Sequence, residues 1–86
     1  MEEQTGTPNQ MTFGEQAVGL TFNPGGDEIV NKVKELYAQI IDICDDLRTE
    51  GPEEKISGER KRLLSVAITE AQTAQMWAVK GITWND

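Results

Sequence analysis

Between Ile29 and Leu47 the apolar residues Ile29, Val33, Leu36, Ile40, Ile43 and Leu47 follow one another at spacings of 4, 3, 4, 3 and 4. That period belongs to one face of an α-helix. Val30, Tyr37, Ile41 and Cys44 flank the row and make it wider than a single partner helix covers. Asp42, Asp45, Asp46 and Arg48 are assigned to the water-facing side near its end. The entry to this helix is marked by Asn23-Pro24-Gly25-Gly26-Asp27. Proline holds Asn23 extended, the glycines permit a tight turn, and Asp27 is a favourable N-cap. Thr49-Glu50-Gly51-Pro52 stops the helix.

A second helix can begin at Pro52, an acceptable first helical residue, or near Gly58 with Ser57 as the cap. The favoured reading is a loop or frayed turn up to Ser57, then regular helix to Lys80 closed by Gly81. Its repeat is small: Ala67, Ala71, Ala74 and Ala78 recur at 4, 3 and 4. Small residues let helices approach closely, so this seam is assigned to the hairpin contact. Leu63, Leu64, Val66, Ile68, Met76, Trp77 and Val79 lie outside it around most of the circumference.

The expected fold is all-α: an antiparallel two-helix hairpin over residues 23–86, with helices at about 27–49 and 57–80, preceded by an N-terminal arm over 1–22. Gly6, Gly14 and Gly19 interrupt any period in the arm, and its first ten residues read as a mobile tail. A short helical turn over Phe13–Val18 is weakly indicated. Phe13, Val18, Leu20 and Phe22 are more apolar residues than a solvated tail needs, so the later part of the arm is expected to pack.

Two helices of this length form one interface and leave outer flanks in water. Ile41, Ile68, Met76, Trp77 and Trp84 are too many for a lone hairpin to hide, and 86 residues with one cysteine have no disulfide staple. An obligate helical homo-oligomer is therefore expected.

Composition narrows the chemistry. Eight Lys plus Arg stand against 15 Asp plus Glu, a formal charge of -7, and no cation precedes Lys32. Long nucleic acid is repelled by that balance. The chain has no histidine, and Cys44, read as a small buried apolar residue, is its only cysteine. Zinc-ligand sets and Cys/His nucleophiles are thereby excluded, so no metal and no cofactor is expected. An enzyme would have to be built from Asp and Glu alone, and these mark exposed helix faces. No apolar run approaches the roughly 20 residues of a membrane span, and Glu2-Glu3 is the opposite of a basic secretory segment. An intracellular, non-membrane protein is expected.

The run Leu64–Thr83 is similar to the closing helix of the phage cyclic-oligonucleotide sponges that defeat CBASS and related immunity. In that family Ala-x-Thr-x-x-x-Ala-x-Met-Trp-Ala recurs, and Ala67, Thr69, Thr73 to Ala74, Met76, Trp77 and Ala78 form a close version here, one residue longer between Thr69 and Ala74. The Phe22-Asn23-Pro24 corner, followed by a helix with Val33-Lys34, resembles the family's other segment. The likeness covers roughly residues 22–83, and Met76-Trp77-Ala78-Val79-Lys80 is its specific part.

This resemblance implies a homohexamer of helical hairpins in the cytoplasm of an infected bacterium, one that binds cyclic di- and trinucleotide messengers without cleaving them. For cyclic dinucleotides it implies Phe22 stacking on a base and Lys34 meeting phosphate, with Phe13 as the competing aromatic. For cyclic trinucleotides, near three-fold axes, it implies Thr69 with Ser65 one turn earlier. From its own place in the basic run, one turn before Val66, Arg62 is added as a residue able to reach a central phosphate. Each has a plainer reading. Lys32 and Lys34 can pair with Asp27, Glu28 or Glu35 on the helix surface, Phe22 can simply pack under the arm, Arg60-Lys61-Arg62 can be a solvated face, and Thr69 and Thr73 can bond back to the preceding turn. Asn23–Gly26 reads as a turn, since Asp27 and Glu28 oppose an anion there. Trp77 and Trp84 read as core and interface residues. The function of a different class that the same apolar surplus supports is a small helical adaptor or inhibitor that docks on a protein and binds no nucleotide.

Overall fold

The computed structural model describes residues 10–49 and 57–85. The tail read as mobile falls largely, and the break after Thr49 wholly, outside these residues. The described chain forms α1 over Phe13–Val18, α2 over Glu28–Thr49 and α3 over Gly58–Ile82, with no strand among the described residues. Of these, no helix is long and apolar enough to cross a membrane.

Capping fixes where the helices begin. Asp27 Oδ1 accepts from the amides of Ile29 at 2.8 Å and Val30 at 3.2 Å, and Ser57 Oγ accepts from Arg60 N at 3.0 Å. These acceptors satisfy amides that a helix start leaves without partners. At the other end, α3 continues through Gly81 to Ile82 instead of stopping at Lys80. Thr83 supplies the stop: its amide and its hydroxyl both donate to the Val79 carbonyl, at 3.0 and 2.8 Å.

The pairing of α2 and α3 is antiparallel. Arg48 bonds Ser65, Ile41 and Ile68 share the core, and Val30 and Lys34 line one groove with Val79 and Thr83. The core is a short line of Val18, Ala38, Ile41 and Ile68, with Ala17, Leu20, Tyr37, Cys44 and Ala71 packed against it.

Both contact rows differ from those read in the sequence, and by the same step. In α2 the inward residues Val30, Lys34, Tyr37, Ile41, Cys44 and Arg48 each lie one position after the row of Ile29 to Leu47, with Ala38 buried beside them. In α3 Ile68, Gln72, Gln75 and Val79 lie inward, each one after the alanine seam, and of the seam itself Ala71 still packs against the core and Ala78 is half-buried. One residue turns a helix by about 100°. Ile29, Leu36, Ile40, Ile43 and Leu47 are consequently exposed, as are Ala67 and Ala74, while Ile41 and Ile68 are hidden within a single chain. Lys34, Gln72 and Gln75 are polar, which is why apolar periodicity selected the neighbouring rows. Met76, Trp77 and Trp84 stay exposed.

Part of the side of α2 assigned to water carries α1, while Asp46 stays exposed. Asp42 accepts a hydrogen bond from Gly14 N at 2.7 Å, and Asp45 is half-buried beside Arg48. The molecule is a plate of 51 × 34 × 13 Å, about one helix thick.

Candidate functional site

Attachment of the arm creates the site. Thr12 and Glu15 close α1 reciprocally, the Thr12 hydroxyl accepting from Glu15 N and the Glu15 carboxylate from Thr12 N, both at 3.0 Å. Gly14 then meets α2 so closely that a Cβ there would fall 2.1 Å from the Ala38 carbonyl oxygen. Gly19 ends α1 in the left-handed region at φ 63°, where glycine carries no Cβ penalty. The chain reverses again at Asn23–Gly26, with Gly26 N donating to the Asn23 carbonyl at 2.9 Å. Asn23 and Asp27 brace this turn: Asn23 Nδ2 donates to the Asp27 carbonyl at 2.9 Å, and Asp27 N to Asn23 Oδ1 at 3.3 Å.

Lys34 holds the two turns of the arm together. Its Nζ donates to the carbonyls of Gly19 at 3.0 Å and Phe22 at 2.5 Å, and the side chain is 5% exposed. A buried ammonium requires such acceptors. Two of its three N–H groups are used; no acceptor among the described residues takes the third. The Phe22 ring centroid lies 5.6 Å from Nζ, and Phe22 is 72% exposed. Phe22 thus offers a flat face to solvent directly over a fixed cation. Neither residue has its plainer reading: Phe22 is not packed away, and Lys34 does not sit on a solvated surface. Glu35, one acidic partner considered for it, accepts instead from Asn31 Nδ2 at 2.9 Å. Phe13, the competing aromatic, lies against the Arg48 guanidinium at 5.5 Å.

Grooves of about 450 and 490 Å³ flank this pair. Both are of small-molecule size. One is formed with the Asn23–Gly25 turn, Asp27, Val30 and Thr83, the other with Gln16–Gly19, Gln72, Gln75 and Met76, and Phe22, Lys34 and Val79 line both. Gln72 Nε2 reaches the Ala17 carbonyl at 3.4 Å and ties α3 to the arm. Gly19 and Gln72 were missed in the sequence because their contacts cross between segments, and Gln75 because a polar side chain carries no signal of burial in an apolar period.

Arg62, Ser65 and Thr69 follow one another along α3 but differ in setting. Ser65 Oγ is half-buried and accepts from Arg48 Nη1 at 2.9 Å. Arg62 is exposed and paired with Glu59 through Nε at 3.0 Å and Nη2 at 2.7 Å. This hydrogen bonding holds the Glu59 carboxyl below the ordinary carboxylate range and raises Arg62. Thr69 is exposed with no partner for its hydroxyl among the described residues, and Thr73 is the one that bonds back, from Oγ1 to the Thr69 carbonyl at 3.1 Å. No group of three or more His, Cys, Asp or Glu able to hold a metal occurs among the described residues.

Comparison with protein families matches residues 15–83 to the family described as Acb2/Tad1, hairpin domain. No curated protein and no solved structure matches the chain.

Proposed function

The chain belongs to the Acb2/Tad1 hairpin-domain family, the anti-CBASS cyclic-oligonucleotide sponges, and from that premise we propose that it binds and sequesters cyclic di- and trinucleotides without cleaving them. Effectors of CBASS-type immunity are then deprived of their messenger in the cytoplasm of a phage-infected host. The observation that carries the reading is the pairing of Phe22 and Lys34 between two grooves. A base stacks on the open ring face, and the third Lys34 N–H donates to phosphate. Binding without cleavage is what the family's sequestering role implies, and an enzyme of this chain would have to be built from Asp and Glu alone.

Cyclic trinucleotides are assigned to a second site type, where Thr69, Ser65 and Arg62 from several copies surround a three-fold axis. Three hydroxyls then match a ligand of the same symmetry. The assembly is a homohexamer, supported by the row of Ile29, Leu36, Ile40, Ile43 and Leu47, which the described chain leaves exposed. Incubation with a panel of cyclic di- and trinucleotides, followed by protease digestion, is expected to return the ligands intact.

A second reading draws on Met76, Trp77 and Trp84, an exposed apolar group near the C-terminal end of α3. A helical adaptor would use it to dock on a protein, and it would leave every cyclic nucleotide of the panel unbound.

A further inference from the structure

Gln75 is 4% exposed and lines the groove that Phe22 and Lys34 share with Gln16 and Gln72. The other two glutamines serve the arm: Gln16 Nε2 donates to the Met11 carbonyl at 3.3 Å, and Gln72 Nε2 to the Ala17 carbonyl at 3.4 Å. Gln75 ties nothing down. Its Nε2 makes a long bond of 3.4 Å to the Gln72 carbonyl of its own helix, and no donor among the described residues reaches its Oε1. A buried amide oxygen without a donor is costly, and native proteins keep few of them. Exchanging the amide's oxygen and nitrogen does not cure this, because it would turn Oε1 toward the Gln72 carbonyl.

The geometry points to Gln75 as a base-reading residue that recognises adenine. This rests on the nucleotide-binding reading above and deepens it. What Oε1 lacks is a donor, and an exocyclic amino group is the donor that a nucleobase projects from its edge. An amide pairs in bidentate fashion with adenine, taking the amino proton on its oxygen and giving its own N–H to the adjacent ring nitrogen. The corresponding edge of guanine shows two acceptors, which suit a cation and leave an amide oxygen unsatisfied. The open Phe22 face favours a purine, whose larger ring system stacks more extensively. Phe22, Lys34 and Gln75 would thus meet the face of a base, its phosphate and its edge.

The test compares native protein with Gln75→Met, which keeps an unbranched side chain of similar volume and deletes the amide. Each is titrated with a cyclic dinucleotide of two adenines and with its counterpart carrying two unsubstituted purines. Native protein is expected to prefer the adenine ligand by about tenfold or more, and Gln75→Met to bind both alike. Light scattering is expected to give the two proteins the same mass. If the native chain binds both ligands equally, or Gln75→Met keeps the preference, the assignment is wrong while the sponge reading stands. A change of assembly in Gln75→Met would show that Oε1 is satisfied by another copy, and overturns it too. Failure of the native chain to bind any cyclic dinucleotide defeats the site reading itself.

Discussion

Gly14 donates its amide to Asp42 Oδ1 at 2.7 Å from a position where a Cβ would lie 2.1 Å from the Ala38 carbonyl oxygen. The arm can dock on α2 only through glycine. Gly14→Ala is therefore expected to lift α1 from α2, leaving two helices that still pair through Ile41 and Ile68. Hydrogen exchange should show lost protection over residues 13–20, with global stability lower by about 1 to 3 kcal/mol. Unchanged protection in the arm would contradict this attachment.

Lys34 and Phe22 separate by what they do to the fold. Lys34→Ala removes charge-assisted bonds to the Gly19 and Phe22 carbonyls, worth about 1.5 to 3 kcal/mol apiece, so it should lower both stability and cyclic dinucleotide affinity. Phe22→Ala changes a largely exposed ring and should leave stability within about 0.5 kcal/mol of native. It should still cost about 1 to 3 kcal/mol of dinucleotide binding. Calorimetry and thermal unfolding of both variants check the contrast.

Thr69 and Thr73 should also part company. The Thr69 hydroxyl is unpartnered among the described residues, whereas Thr73 already donates to the Thr69 carbonyl. Thr69→Val is expected to weaken cyclic trinucleotides by about tenfold and leave dinucleotides unaffected, and Thr73→Val to change neither. Equal loss of both ligands in Thr69→Val would replace two pockets by one.

Arg62 can meet a phosphate only by leaving Glu59. Glu59→Gln should raise trinucleotide affinity by less than about tenfold, since exposed ion pairs are weak. Acid should act likewise, but late. Arg62 holds the Glu59 carboxyl below its ordinary value, so the pair is lost as pH falls through that lowered value. Binding titrations at descending pH read this out.

The exposed row of α2 supplies a test of assembly. Native mass by light scattering is expected to be a multiple of 9.6 kDa, six copies being the proposal, and Ile43→Glu should reduce it. Ile43 is 60% exposed in the single chain, so lost mass with retained helicity would identify it as an intermolecular contact.

The helices were legible because their signals are local. Asp27 and Ser57 cap the helices they precede, and the spacing of Ile29 to Leu47 carries a helical period without reference to anything distant. Their rotation was not. Ranking by apolarity picked the row of Ile40 and Ile43 over that of Lys34 and Ile41, yet Lys34 is the residue turned inward, because carbonyls 12 and 15 residues earlier in the chain receive it. The same holds for Gln72 and the arm carbonyl of Ala17. Phe22 and Lys34 were identified through family resemblance; their mutual contact depends on the turn between them and is visible only in three dimensions.

The one-helix thickness of the plate has a bearing on how this sequence tolerates change. In a globule, mutational constraint grades from interior to surface, and a conserved buried position is usually explained by packing. A 13 Å sheet of helices has little depth to grade. A residue such as Gln75 can lie beneath one face and still border a groove, so packing and the shape of the groove press on the same side chain at once. Burial alone should therefore be a poor guide to permissible substitutions here, and a deep mutational scan scored separately for abundance and for ligand capture should find many intolerant positions in both maps.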